Sequence, residues 1–235
     1  MKAILMAAGV GSRISQHIEG PKSLLKVNGK SILRHTVEML QKNKIDVKII
    51  VGYEHEKIEE ELKGMGVKIY HNPFYRVTNS IASLWIAREE LDTCEDIILG
   101  NADVYYDQDV LDILLETEKE NMMLGDRERR LTGDYFFSVE NGKLERYGKE
   151  LVPEERTCEY VGLARVNSSF LSHFKSQVEK LVDEGEYNYW WENALYTIAD
   201  KFPIYVEDVN GKFWSEVDTI EDYQRILDTV EKKKK

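Results

Sequence analysis

The sequence predicts an α/β protein: a mixed sheet begun by parallel βαβ units, with helices on both faces and a small antiparallel extension. Three observations carry that prediction. Up to Leu99, short apolar runs alternate with longer amphipathic stretches, the rhythm of βαβ units. Beyond residue 125 the rhythm changes, and an Asn-Gly turn signal sits between two strand-like runs. No repeat or linker divides the chain. Residues 1–230 therefore read as one domain, with the extension mainly within 125–200 and a charged tail at 231–235.

Each element has its own signal. Lys2–Ala7 is short, apolar and stopped by Gly9 and Gly11, as a buried strand is. Ser31–Lys42 sets Ile32, Leu33, Thr36, Val37 and Leu40 at helical spacing. Val47–Val51 follows as a strand, Glu54–Lys63 as a charged helix closed by Gly64, and Val67–Tyr70 as a strand. Ser80–Leu91 reads as a helix and Asp96–Leu99 as a strand. In the extension, Asp134–Val139 and Lys143–Tyr147 flank Glu140-Asn141-Gly142 as a hairpin. Glu159–Val166 reads as a strand, and Phe170–Asp183 and Tyr189–Asp200 as helices. Ile204–Val206 and Phe213–Val217 are short strands, and Ile220–Val230 is the last helix.

Composition narrows the function. The chain has 235 residues, 42% of them hydrophobic, and a net charge of −11. That balance argues against a general nucleic-acid-binding surface. No apolar run reaches the roughly 20 residues of a membrane span. Met1–Ala8 runs straight into Gly9-Val10-Gly11-Ser12-Arg13 and is too short for a signal peptide. Cys94 and Cys158 give neither a disulfide framework nor metal-type spacing. A cytoplasmic protein with no nucleic-acid partner and no membrane insertion is expected; no motif encodes an oligomeric state.

Ala8-Gly9-Val10-Gly11-Ser12-Arg13 with Pro21-Lys22 is the most informative stretch. Glycines after a first strand let N–H groups meet phosphate oxygens, and Arg13 and Lys22 add the charge a triphosphate needs. It is not a Walker loop, and Ile14 stands where a dinucleotide-binding turn has its third glycine. A plain tight turn also explains Gly-x-Gly. Asn101-Ala102-Asp103 follows the apolar Ile97-Ile98-Leu99, at a strand end where α/β ligands bind. Asp103 and Asp218 together suit Mg²⁺, although Asp218-Thr219 equally reads as a helix N-cap. Asn79, Ser80 and Ser83 admit two readings, a helix cap or contacts to a base edge. Tyr187, Tyr189, Trp190 and Trp191 crowd together, with Tyr135 on an expected strand. Such aromatics form either core or a cage for a quaternary ammonium, with Glu192 and Glu216 adding negative charge; Tyr187 is assigned to core. The five histidines are scattered, and no Ser/His/Asp arrangement is visible.

Leu5-Met6-Ala7-Ala8-Gly9-Val10-Gly11-Ser12-Arg13 with Pro21-Lys22 resembles the signature of the nucleotidyltransferases that make NDP-sugars and CDP-alcohols. Tyr189-Trp190-Trp191-Glu192-Asn193, Tyr205-Val206-Glu207 and Glu216-Val217-Asp218-Thr219 with Asp222-Tyr223 are similar to bacterial CTP:phosphocholine cytidylyltransferases. The likeness runs from Met1 to about Leu227 and is loosest between residues 120 and 160. It implies a Rossmann-like core, Mg²⁺ dependence and release of pyrophosphate. It also implies metal ligation by Asp103 and Asp218, catalytic charge from Arg13 and Lys22, and nucleotide contacts from Ala8, Gly9, Gly11, Asn79, Ser80 and Ser83. Tyr135, Trp190 and Trp191 match the family's aromatic box, beside Glu192 and Glu216. Two departures stand out: Ser15-Gln16-His17 replaces the usual Pro-Leu-Thr, and Asn101 replaces the first aspartate of Asp-x-Asp. The expected activity is transfer of CMP from CTP to a small phosphorylated amino-alcohol, phosphocholine first. The alternatives are 2-aminoethylphosphonate, inositol phosphate or a sugar 1-phosphate as acceptor, or a non-catalytic nucleotide-binding regulator. Retention of Arg13, Lys22, Asp103 and Asp218 together speaks against the regulator.

Overall fold

The computed structural model describes residues 1–11, 13–14 and 18–233. Ser12 and Ser15-Gln16-His17, part of the loop and one of its departures, lie outside the described residues, as do residues 234–235. In chain order, β1 (Lys2–Ala7) leads to a small ribbon of β2 (Lys26–Val27) and β3 (Lys30–Ser31), then α1 (Ile32–Lys42). There follow β4 (Asp46–Val51), α2 (His55–Glu61), β5 (Lys68–His71) and α3 (Ser80–Ile86). Next come β6 (Ile97–Asn101), β7 (Val104–Tyr106), α4 (Gln108–Glu116) and β8 (Asn121–Asp126). The second half holds β9 (Phe136–Glu140), β10 (Lys143–Gly148), β11 (Cys158–Val166), α5 (Leu171–Asp183) and α6 (Asn193–Tyr196). β12 (Tyr205–Asp208), β13 (Trp214–Glu216) and α7 (Ile220–Lys232) complete it.

Nine strands form one mixed sheet in the order β5-β4-β1-β6-β11-β8-β12-β10-β9. β5, β4, β1 and β6 are parallel, and β11 then runs antiparallel to both β6 and β8. Alternation along β1 explains the two faces. Ile4 and Met6 pack with Leu84 of α3 and Phe174 and Val178 of α5, while Ala3, Leu5 and Ala7 pack with Val37 of α1 and Leu111 of α4. The α/β expectation, with helices on both faces, matches this architecture.

Several elements differ from expectation. β8 and α4 are additional to the expected elements, and Glu159–Val166, expected as a strand of the extension, is β11 in the middle of the sheet against β6. Tyr189–Asp200 is not one helix, because only Asn193–Tyr196 is α-helical. The Trp190 amide donates to Asn193 Oδ1 and the Trp191 amide to Ser80 Oγ, so side chains take the donors a helix would use. Ser80–Leu91 likewise breaks at Ala87 into α3 and a 3₁₀ turn, Arg88–Leu91. At the C-terminus, α7 runs through Lys232, and Lys233 pairs with Asp107.

Candidate active site

The carboxyl ends of β1 and β6 open into a cleft of about 290 Å³, lined by Ala8, Gly9, Gly11, Arg13 and Lys22 on one side and Asn101 and Asp103 on another. Placement at parallel strand ends follows the rule for open α/β sheets. Gly11 has φ +65°, and a Cβ there would stand 2.7 Å from Cγ of Lys22. Glycine at 11 thus clears the track of the lysine stem as well as permitting the left-handed backbone. Gly9 is different: a Cβ there would meet nothing within 4 Å.

Asp103 and Asp218 meet because β13 pairs antiparallel with β7, setting Glu216 opposite Val104. The Val217 amide continues the ladder by donating to the Asp103 carbonyl at 3.1 Å. Lys22 Nζ lies between the two aspartates, 2.7 Å from Asp103 Oδ2 and 2.8 Å from Asp218 Oδ1. Burial pulls the Lys22 pKa down, but the charges of Asp103 and Asp218 and their hydrogen bonds outweigh it, so the ammonium is held protonated far above the ordinary lysine range. Arg13 reaches Asp218 at 2.9 Å and Asp134 at 3.4 Å, and Lys149 holds Asp134 at 2.6 Å. The N-cap reading of Asp218 is corrected. Thr219 is the cap of α7, closed by a capping box with Asp222, which leaves the Asp218 carboxylate to the cleft.

The far end of the cleft is aromatic and acidic. Tyr135 and Trp190 stand edge to face at 5.3 Å between ring centroids, and Tyr135 stacks on Tyr196 at 6.0 Å. Tyr160 also lines this end, its buried hydroxyl beside the Glu192 carboxyl group. Glu192 is buried, accepts from Asn101 Nδ2 at 3.3 Å, and has its pKa pushed by burial up to about 7. Burial, reinforced by the charges of Asp103 and Asp218, likewise raises the Glu216 pKa well above the carboxylate range. Asn101 uses both ends of its amide, because its Oδ1 accepts from the Trp191 indole N–H at 3.0 Å. An aspartate could accept there but could not donate to Glu192.

Fourteen of the fifteen residues singled out from the sequence line this one cleft; Trp191 does not. Its side chain is fully buried in the main core cluster, so its assignment to an aromatic cage is corrected: its ring packs and its N–H orients Asn101. Tyr187, assigned to core, is instead 47% exposed, and its carbonyl accepts from the Asn79 amide. Asn79 does cap α3, its Oδ1 accepting from the Ser80 amide, and still lines the cleft. Sequence reasoning missed Asn72, Tyr75, Thr78, Asp134, Lys149, Tyr160 and Tyr196 in the wall. Tyr160 and Tyr196 carried no local signal, since each looks like an ordinary apolar position of its own element.

Comparison with known proteins fits this geometry. Residues 3–148 match the model of the MobA-like NTP transferase domain. The chain is 28% identical, over 96% of its own length and 96% of the relative's, to a choline-phosphate cytidylyltransferase of Streptococcus pneumoniae. It is also 28% identical to CMP-5'-(3-aminopropyl)phosphonate synthase of Streptomyces rubellomurinus, over 93% of this chain but only 37% of that larger protein. A solved structure of CTP:phosphocholine cytidylyltransferase from S. pneumoniae superposes with a TM-score of 0.78 at 23% identity, covering 97% of this chain and 98% of that one. The parallel half-sheet, the glycine loop at its carboxyl edge and the family match together make this chain a member of the MobA-like NTP transferase domain family.

Proposed function

We propose that this protein transfers CMP from CTP to a small phosphorylated amino-alcohol, phosphocholine first, with release of pyrophosphate. The observation that carries the reading is one cleft with two chemically distinct ends: Lys22 and Arg13 beside paired carboxylates, and an aromatic wall with two carboxylates of raised pKa. The first end suits a triphosphate and the second a cationic headgroup. Gly9, where no neighbour of its own chain requires glycine, suits close approach of a nucleotide. Asn79, Ser80 and Ser83 offer donors and acceptors for a pyrimidine edge.

In the reaction, an acceptor phosphate oxygen attacks the α-phosphorus, and the bond to the β-phosphate oxygen breaks. No covalent intermediate on the protein is needed. Lys22 and Arg13 orient the phosphates and offset the charge that gathers on the leaving pyrophosphate. Asp103 and Asp218 set two carboxylates on the Lys22 ammonium, a hard-oxygen donor pair that fits a divalent cation. Asp103 and Asp218 would hold Mg²⁺, which when bound neutralises phosphate charge. A second reading, 2-aminoethylphosphonate as acceptor, is favoured by the Tyr160 hydroxyl beside the Glu192 carboxylate, oxygens that can replace water around a primary ammonium.

The test is pyrophosphate release with CTP across the N-methylation series from phosphoethanolamine to phosphocholine, with 2-aminoethylphosphonate alongside. A cage prefers a large, weakly hydrated cation, so kcat/KM is expected to rise stepwise with phosphocholine best. Trp190→Leu should flatten the series, because the apolar volume mostly remains while the π face goes. If 2-aminoethylphosphonate leads and Trp190→Leu leaves the ranking unchanged, the phosphonate reading replaces this one. Asp103→Asn and Asp218→Asn should each remove most turnover; near-parental rates at saturating Mg²⁺ would reject that residue as a ligand.

A further inference from the structure

On the opposite side of β4 from the cleft's glycine loop, three ligating side chains converge. His55 opens α2, Glu59 stands one turn later on the same helix face, and His71 ends β5. Glu59 Oε1 is 2.8 Å from His55 Nδ1 and 3.6 Å from His71 Nε2. The two imidazoles meet edge to face at 4.8 Å between centroids. One ligand atom from each of the three residues can be chosen so that all lie within 4.8 Å of one another. The group borders a second pocket, apart from the catalytic carboxylates.

We propose that His55, Glu59 and His71 form a site for a first-row transition-metal ion of the Zn²⁺ class. Two imidazoles and one carboxylate are the donors such an ion takes, whereas Mg²⁺ and Ca²⁺ prefer all-oxygen sets. Three protein ligands leave a fourth position for water. Drawing the ligand atoms to the roughly 2.0–2.2 Å that Zn²⁺ requires asks only for rotation of side chains that are between 38% and 51% exposed, with the backbone in place. The ion would tie the start of α2 to the end of β5. The residue after His71 is Asn72, whose amide donates to Ser83 Oγ at 3.0 Å and Thr78 Oγ1 at 3.2 Å in the cleft wall. A metal there braces the wall from outside.

The test titrates the full chain with Zn²⁺, and separately with Co²⁺, in excess Mg²⁺ so that the Asp103–Asp218 pair does not compete. One equivalent is expected to bind with a dissociation constant in the micromolar range, and Co²⁺ is expected to give the intense visible bands of a four-coordinate site. Zn²⁺ at 100 times that constant should raise Tm by about 5 °C or more. His55→Ala and His71→Ala should each weaken binding at least about tenfold and abolish the Co²⁺ bands, while His173→Ala changes nothing. Melting in EDTA, expected to be the same for parent and variants, shows that they are folded. Binding weaker than about 1 mM, or equal binding in the parent and both histidine variants, overturns the proposal.

Discussion

Glu192 concentrates the residue-scale physics of the cleft. It is only 4% exposed and sits beside Asn101, with Tyr135, Tyr160, Tyr196, Asp103 and Glu216 as its titratable neighbours. Burial lifts its pKa to about 7, against 4.5 for a free side chain. The folded protein therefore keeps this proton up to about pH 7, and the unfolded chain loses it near 4.5. Stability contributed here falls as pH rises between those values and is level above them. Glu192→Gln should remove that slope and stabilise the fold at pH 8 by an amount on the order of 3 kcal/mol, read by denaturant unfolding at pH 5 and 8. Binding moves the other way, because a cationic headgroup favours the ionised carboxylate. KM for phosphocholine should rise as pH is lowered from 8 to 6, and Glu192→Gln should leave only the substrate phosphate's own titration near pH 6. An unchanged pH profile in the variant would remove Glu192 from headgroup recognition.

At the scale of elements, the β7–β13 pair and the start of α7 set the catalytic carboxylates. The ladder fixes how far Asp103 and Asp218 stand apart, and the capping box fixes where the chain leaves β13. Thr219→Ala removes the side chain that accepts from the Asp222 amide, and Asp222 loses one of its partners. The expected cost is about 1 kcal/mol of stability. Turnover should fall further than that cost implies, because Asp218 is displaced from Lys22; a variant with lowered Tm and parental kcat would show that the box stabilises without positioning. The segment before α6 makes a related point. Trp190 and Trp191 are neighbours in sequence, yet one is 39% exposed in the cleft and the other fully buried, because the local chain is a turn held by Ser80 and Asn193.

At the scale of the whole molecule, one nine-stranded sheet joins the two halves of the chain. β11 pairs with β6 on one side and β8 on the other, so the strand that carries Asn101 is flanked by residues 158–166. The family match ends at residue 148, before this strand. A chain truncated after Gly148 would leave Ile97 and Leu99 without α5, and β6 with an open edge. It should show no cooperative thermal unfolding, whereas the full chain should melt in one transition by circular dichroism. A cooperative melt of the truncated chain would establish that the parallel half folds alone. No helix among the described residues is long and apolar enough to cross a membrane.

The amino-acid sequence by itself determined the α/β class, the first parallel strands and the chemical character of the site. Those depend on short-range features: apolar period, glycine after a strand, carboxylates at strand ends. Asp103 and Asp218 were legible as two carboxylates near strand ends, and the family resemblance singled them out as a pair; their meeting depends on β7 pairing with β13, about half the chain apart. Tertiary structure alone decided which aromatics face the cleft. Trp191, Trp190 and Tyr187 share a composition signal, but exposure is set by a turn whose amides are held by Ser80 and Asn193. The place of β11 was equally hidden, since a local apolar run shows that a strand is buried but not which strands flank it. The convergence of His55, Glu59 and His71 belongs to the same class, because only the packing of α2 beside β5 brings His71 to the helical pair His55 and Glu59. Local sequence sets what each segment can bury; long-range pairing sets which side chains then share a space.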